Sequence, residues 1–124
     1  MTSKAQTQQD SKSETNKKSA NGASVNRATL VGRLVATPEL RETKGGIHVT
    51  TIRIATNSGE QAEFHDVVLW RQLADFAAGY LTKGRLVYVE GRLQARAWES
   101  ADGSKRRSFE VVATRLTALT KSAA

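Results

Sequence analysis

Residues 62–71 read AEFHDVVLWR, an apolar run that contains two aromatic side chains. Phe64 and Trp70 lie six positions apart, so on a β-strand both rings emerge on the same face. Val67 and Leu69 point to the opposite face. Rings on one side and aliphatic side chains on the other predict a strand with one face on the core and a second face with a separate role.

A helix is predicted directly after this strand. Residues 72–84, QLADFAAGYLTKG, carry apolar side chains at helical spacing and end in Lys83 and Gly84, a C-terminal stop signal. Elsewhere β-branched residues predict strands, and Asp102-Gly103 is a strong hairpin signal. The predicted strands are 26–35, 47–56, 62–71, 85–98 and 108–119, separated by loops over 39–46 and 99–107 and a short turn over 57–61.

The order of these elements is strand, strand, strand, helix, strand, strand. It predicts an all-β protein with an OB-fold, a five-stranded Greek-key barrel with one helix between strands 3 and 4. Gly32 and Gly91 interrupt the first and fourth strands, where isolated glycines mark bulges or sharp bends. Barrels of this class commonly bind oligonucleotides.

Composition narrows the class of partner. The chain has 124 residues, a formal charge of +7, a pI near 10.1 and no cysteine. The charge favours an anionic partner such as nucleic acid, and the lack of cysteine excludes disulfides and zinc ribbons. The sequence contains neither an apolar run of about 20 residues, which a membrane span needs, nor a secretory signal. We therefore expect a cytoplasmic, nucleoid-associated protein without a membrane partner.

The chain divides into three parts. Residues 1–25 are almost free of aliphatic side chains, so we expect a disordered polar leader. Residues 26–120 form the predicted OB-fold domain. Residues 121–124, KSAA, are too short to form a further element.

The fourth predicted strand alternates in a way that suits nucleic acid. Arg92, Gln94, Arg96 and Trp98 share one face. Their odd-numbered neighbours, Leu93, Ala95 and Ala97, are expected to pack inward. Aromatic rings can stack on unpaired bases, and guanidinium groups can neutralise phosphates.

We therefore predict a surface that binds single strands. A lone Trp is more often a core residue and an arginine row is often a solvated face, but here both occur with a basic charge and an OB-like order. Phe76, Tyr80, Tyr88 and Phe109 are instead expected in the core or in subunit contacts. The predicted stacking residues are Phe64, Trp70 and Trp98, and the predicted phosphate contacts are Arg53, Arg71, Arg92, Arg96 and a Lys105-Arg106-Arg107 hairpin.

Enzyme chemistry has little support in the sequence. His48 and His65, the two histidines, have no metal-ligand spacing, and His65 and Asp66 point to opposite faces of a strand. Phosphate-binding loops with the usual glycine patterns are also missing. We therefore predict no catalytic residue, no metal site and no cofactor.

From Asn26 onward the chain resembles the bacterial and organellar single-stranded DNA-binding protein family. The resemblance lies in NRATLVGRL, PELR, EFHDVVLW, LADFAAGYLTKG and VYVEGRLQARAW, and it covers about residues 26–119. It implies a non-enzymatic, sequence-tolerant binder that protects single-stranded DNA during replication, repair or recombination. Two alternatives stay open: an OB-fold interaction module of a primosome-like assembly, and an RNA-binding protein.

The resemblance also implies roles for particular residues. It matches Phe64, Trp70 and Trp98 to stacking positions and Arg41 and Arg96 to basic contact positions. It further implies a homotetramer, with His65 at a subunit interface.

Two departures from the family pattern are visible. The turn NSGEQAE lacks the long loop and further Trp of many members, so we expect one stacking contact fewer. Many members end in an acidic tip that recruits replication and repair proteins, whereas this sequence ends in KSAA. The sequence is therefore that of a specialised paralogue or a truncated chain, and we expect no recruitment through such a tip.

Overall fold

The computed structural model describes residues 22–119. Residues 1–21 of the predicted leader (1–25), the last residue of the predicted domain (26–120) and the predicted tail (121–124) lie outside them. The described part contains strands β1 (Ala28–Leu34), β2 (Arg41–Glu42), β3 (His48–Ser58), β4 (Gln61–Trp70), β5 (Leu86–Glu99) and β6 (Lys105–Ala118), and helix α1 (Gln72–Tyr80). The two-residue strand β2 lies in the predicted loop over 39–46.

The sheet closes on itself into a barrel. Its strand order is β1-β5-β6-β4-β3-β2, and a further pairing between β1 and β3 joins the ends. The β4–β6 pair is parallel, whereas the other pairs are antiparallel. With β2 as a short addition, the five long strands and the helix between the third and fourth of them confirm the predicted OB-fold.

The barrel interior is filled by the residues that alternation predicts. Val67 and Leu69 of β4, and Ile52 and Ile54 of β3, are buried. Helix α1 adds small side chains that let it approach the barrel closely. The buried core consists of Leu34, Ile52, Ile54, Val67, Leu69, Ala74, Ala77, Leu81, Val87, Val89, Val111, Ala113 and Leu116.

Helix α1 ends four residues earlier than predicted, at Tyr80. Leu81 is buried and takes extended backbone angles, while its N–H still donates to the Ala77 carbonyl at 3.0 Å. Gly84 has a φ of +92° in the turn that follows, and its N–H donates to the Leu34 carbonyl at 2.8 Å. The predicted stop signal therefore forms this turn, which returns the chain to the barrel.

Barrel closure requires a close approach at Gly32. Strand β1 pairs with β5 over residues 28–33 and meets β3 at Arg33 and Leu34. A Cβ atom at position 32 would lie 2.4 Å from the carbonyl oxygen of Ala55 on β3. Because a Cβ atom does not fit there, a glycine is needed where β1 passes from its pairing with β5 to its pairing with β3. The strand makes this change without a bulge, which was one of the two predicted possibilities for Gly32.

Strands β5 and β6 extend beyond the barrel as a two-stranded arm, residues 92–99 and 105–110, which we call the ribbon. The pairing shifts register between Glu90 and Gly91, which confirms a bulge at the second glycine. Past this point the inward-pointing residues have no barrel opposite them. The prediction that Leu93, Ala95 and Ala97 pack inward is wrong, since all three are exposed.

The tip of the ribbon is a turn over residues 100–104. Ser100 and Ser104 hydroxyl groups donate to the Asp102 carboxylate, and the Ser104 backbone N–H donates to it at 2.9 Å. These hydrogen bonds lower the pKa of Asp102 to about 2. Because the tight turn ends at Ser104, residues 105–107 belong to strand β6 and not to the predicted hairpin loop.

Asn26 attaches the start of the barrel to the base of the ribbon. Its side-chain Nδ2 donates to the Leu93 carbonyl at 2.8 Å, and the Leu93 N–H donates to its Oδ1 at 2.9 Å. The amide thus takes the place of one further residue pair between β1 and β5.

Replacing Gly32 with Ala should destabilise the protein by about 1–3 kcal/mol, because the new methyl group overpacks the closure between β1 and β3. Gly79 is the matched control: it lies in α1, and a Cβ there has no neighbour within 4 Å. Gly79→Ala should stabilise by about 0.5–1 kcal/mol. Urea unfolding at one protein concentration measures both, and equal stabilities would contradict the close approach.

Candidate nucleic-acid interface

The three predicted stacking residues lie on the outward side of one continuous sheet. Val68 of β4 pairs with Val112 of β6, which pairs with Arg92 of β5. Residues paired side by side share a face, so even-numbered side chains of β4 and of the ribbon point the same way. Phe64, Trp70 and Trp98 are 55%, 42% and 48% exposed.

Strands β2 and β3 continue this side. Arg53 pairs with Asp66, and Ala55 pairs with Phe64, so the odd-numbered residues of β3 share it. Arg41 of β2 joins them, because its Nη2 donates weakly to Oγ1 of Thr51 at 3.5 Å. We call this side the aromatic face; its predicted contact residues are Phe64, Trp70, Trp98, Arg41, Arg53, Arg92, Arg96 and Arg106.

Three predicted phosphate contacts lie elsewhere. Lys105 and Arg107 pair with Glu99 and Ala97, so they point to the opposite face of the ribbon. Arg71 follows Trp70 at the edge of the aromatic face and is exposed, with an unusual φ of 59°.

His65 differs from its neighbours on β4. It has the inward parity, is half-buried at the end of the barrel, and its Nε2 is hydrogen-bonded to Oγ1 of Thr56 at 2.9 Å. This position agrees with the predicted separation of His65 from the two rings. Its proposed role at a subunit interface stays a prediction.

Arg53 already has partners in the free protein. Its Nε donates to the Asp66 carboxylate at 3.2 Å, and its guanidinium lies 5.9 Å from the ring centroid of Phe64. The carboxylate across the strand therefore holds the cation beside a ring that is open to a base. Exposed ion pairs of this kind are weak, so a phosphate can replace the carboxylate.

A second carboxylate orders the ribbon. Glu110 of β6 accepts a hydrogen bond from Nε2 of Gln94 at 3.2 Å and lies 3.5 Å from Nη1 of Arg96. Gln94 in turn accepts from Nη1 of Arg92 at 3.2 Å. The row of arginines is therefore linked, through Gln94 and one ion pair, to a carboxylate that is mostly buried.

Sequence reasoning missed Asp66 and Glu110. For Glu110 the signal was present in the sequence. Glu110 and Gln94 each lie eight positions from Asp102, so a hairpin that turns there pairs the two residues across its strands. For Asp66 the signal was weaker, since its pairing with Arg53 depends on the length of the turn between β3 and β4. That turn is only Gly59-Glu60, tighter than the predicted 57–61.

The described residues, 22–119, offer neither a metal-binding cluster nor a membrane-crossing helix. No group of three or more His, Cys, Asp or Glu side chains is placed there to hold a metal ion. Helix α1, the one helix described there, is not long and apolar enough to cross a membrane.

Sequence comparison with known proteins gives a family match over almost the whole described part of the chain. The single-strand binding protein family matches residues 25–119. The chain is also 45% identical over 97 residues to the single-stranded DNA-binding protein of Thermotoga maritima. It belongs to the single-strand binding protein family.

Other members of the family are similar over the same part. Single-stranded DNA-binding protein 1 of Chlorobaculum tepidum is 41% identical over 100 residues, which cover 73% of this chain and 62% of that protein. The protein of Neisseria meningitidis serogroup A is 36% identical over 102 residues, 75% of this chain and 59% of that protein. For the Thermotoga protein the shares are 71% and 69%. The predicted family resemblance is confirmed, and the matches span about three fifths to two thirds of these relatives.

A histidine in this family member joins the helix to the sheet beside Trp70. Nδ1 of His48 lies 2.5 Å from the Asp75 carboxylate of α1, and Nε2 lies 3.5 Å from Glu42 of β2. The hydrogen bond and charge of Asp75, with a smaller effect of Glu42, raise the pKa of His48 above 6.5. The His48 carbonyl also accepts the N–H of Arg71 at 2.8 Å, so this ion pair lies at the edge of the aromatic face.

The His48 ion pair should make stability depend on pH. The folded protein holds the proton more tightly than the unfolded chain, so the pair stabilises fully below the unfolded pKa of 6.5 and is lost as pH rises through the folded pKa. His48→Gln should remove this dependence. Urea unfolding between pH 6 and pH 8 measures it.

Asp75→Asn is the matched control, because it removes the main cause of the raised pKa and leaves the histidine. It should flatten the same pH profile, and Glu42→Gln should flatten it less. A profile that persists in both His48→Gln and Asp75→Asn would assign the dependence to another group.

Proposed function

We propose that this protein binds single-stranded DNA with little sequence preference. The observation that carries the proposal is the aromatic face, where three half-exposed rings stand among guanidinium groups on an OB-fold barrel. Membership of the single-strand binding protein family supports the same conclusion. It does not favour the interaction module or the RNA binder.

The mechanism follows from the chemistry of the face. Each ring offers a stacking surface worth about 1–3 kcal/mol per base, independent of base identity. Arg53 and Arg96 exchange their carboxylate partners for phosphates, which releases counterions from the DNA. Binding removes the single strand from its equilibrium with hairpins, so hairpins melt by mass action.

This activity is binding and not catalysis. We expect it to serve replication, repair or recombination, and to act at the nucleoid in the cytoplasm, where single strands arise from DNA. We further propose that the protein assembles as a homotetramer with His65 in a subunit contact. The half-buried position of His65 at the barrel end supports that role.

Trp98→Ala should weaken binding of a poly-dT strand by about 1–3 kcal/mol while leaving the melting temperature almost unchanged, because the ring is 48% exposed and lies outside the buried core. Quenching of tryptophan fluorescence on titration measures the affinity. A core Trp would behave oppositely, since its truncation costs about 3–5 kcal/mol of stability.

Two further measurements make this test specific. Trp98→Phe retains a ring and should keep most of the affinity. Competition between DNA and RNA oligomers of equal length distinguishes the proposed substrate from RNA. An intact wild-type protein that fails to bind poly-dT, or that prefers RNA, would contradict the proposal.

His65→Lys should weaken assembly, because it would force a charge into a contact between subunits. His65→Gln is the control, since it stays neutral and can keep a hydrogen bond to Thr56. Light scattering should report four chains for the wild type and for His65→Gln, and fewer for His65→Lys. A stable wild-type monomer at micromolar concentration would contradict the tetramer.

A further inference from the structure

The side of the ribbon opposite Trp98 carries a ring of its own. Phe109 of β6 is 57% exposed, although the sequence analysis assigned it to the core or to a subunit contact. We call this side the inner ribbon face, because its parity is that of the barrel interior. It consists of Leu93, Ala95, Ala97 and Glu99 on β5 and Lys105, Arg107 and Phe109 on β6.

The Phe109 ring is open because its neighbours across the strand are small. Ala95 stands directly opposite it, and Leu93 and Ala97 are the next residues on the same face of β5. A methyl group cannot cover a phenyl ring, so one surface of Phe109 stays accessible. Leu93, the largest apolar neighbour, is itself 47% exposed.

The same ring has a cation beside it. The Arg107 guanidinium lies 5.6 Å from the centroid of Phe109, within the range of a cation–π interaction. This repeats the pairing of Arg53 with Phe64, at 5.9 Å, on the aromatic face. Two faces of the sheet therefore carry the same unit, an exposed phenyl ring with a guanidinium over it.

We propose that the inner ribbon face is a second contact for single-stranded DNA, in which Phe109 stacks on a base and Arg107 and Lys105 bind the adjacent phosphates. The inference rests on the proposed function and adds a site to it. A strand that leaves Trp98 reaches this face by crossing the edge of the ribbon. Both edges of the ribbon are open to such a crossing in the described structure, because β1 pairs with β5 only up to Gly91 and β4 pairs with β6 only at Val111 and Val112. The two faces are separated by one sheet layer, about 10 Å including side chains.

Charge favours DNA over a second copy of the chain at this face. Lys105 and Arg107 outnumber Glu99, so the face is cationic where the ribbon is farthest from the barrel. A second copy that met this face with its own inner ribbon face would bring two further cations against Lys105 and Arg107. A phosphate backbone brings the opposite charge, and it continues from the adjacent aromatic face.

Three substitutions at one position test the site. Phe109→Ala and Phe109→Leu both remove the π-surface and should weaken poly-dT binding by about 5- to 150-fold. Phe109→Tyr keeps the surface and should bind within about threefold of the wild type. Leu is the informative variant, because it keeps apolar bulk that would satisfy a protein contact but not a stacked base. Melting temperature and light scattering on each variant report fold and assembly.

A direct reading comes from the wild-type protein. Oligo-dT containing 5-iodouracil, photocrosslinked and digested, should give a crosslinked peptide containing Phe109 as well as one containing Trp98. Binding at wild-type strength by all three folded variants, with no crosslink at Phe109, would overturn the inference and leave the proposed function intact. So would Phe109→Ala that dissociates the assembly while Phe109→Leu binds and assembles normally. A wild-type protein that binds no poly-dT would overturn both.

Discussion

Closure of the sheet at β1 is the constraint on which the rest of the structure depends. Once β1 pairs with both β5 and β3, each long strand has one side on a shared interior and must turn the other outward. Gly32 makes this closure possible, because only a residue without Cβ lets β1 approach the Ala55 carbonyl. This is why the rings of Phe64 and Trp70 are exposed. Val67 and Leu69 fill the interior side of β4, and the two rings lie on the opposite side of the same strand.

The outward face is partly neutralised before any ligand arrives. Asp66 and Glu110 lie beside Arg53 and Arg96, and both guanidiniums are exposed enough for a phosphate to replace the carboxylate. The net positive charge of the chain therefore overstates the charge that the face offers to phosphates.

Alternation along β3 and β4 was enough to predict the core side and the aromatic side, and helical spacing with the turn signals predicted the order of elements. Alternation could not predict where the barrel ends. Leu93 and Phe109 follow the inward pattern but lie on the ribbon, where nothing stands opposite them. The Gly91 bulge was visible as a glycine, but the division of Lys105, Arg106 and Arg107 between two faces depends on the register beyond it. Asp66 and Glu110 were missed for a similar reason, since they belong to the site only through cross-strand pairing.

The amide of Asn26 ends the pairing of β1 with β5 at Leu93, so the remainder of the ribbon is attached to the barrel at one end only. A two-stranded hairpin without further packing is only marginally stable. Trp98 lies five residues beyond Leu93, about 16 Å along an extended strand. A rotation of about 5° at the attachment therefore displaces the ring by about 1.4 Å at that lever length. The position of Trp98, far from the barrel, thus depends on the two hydrogen bonds between Asn26 and Leu93 and on the bulge at Gly91, two residues before Leu93.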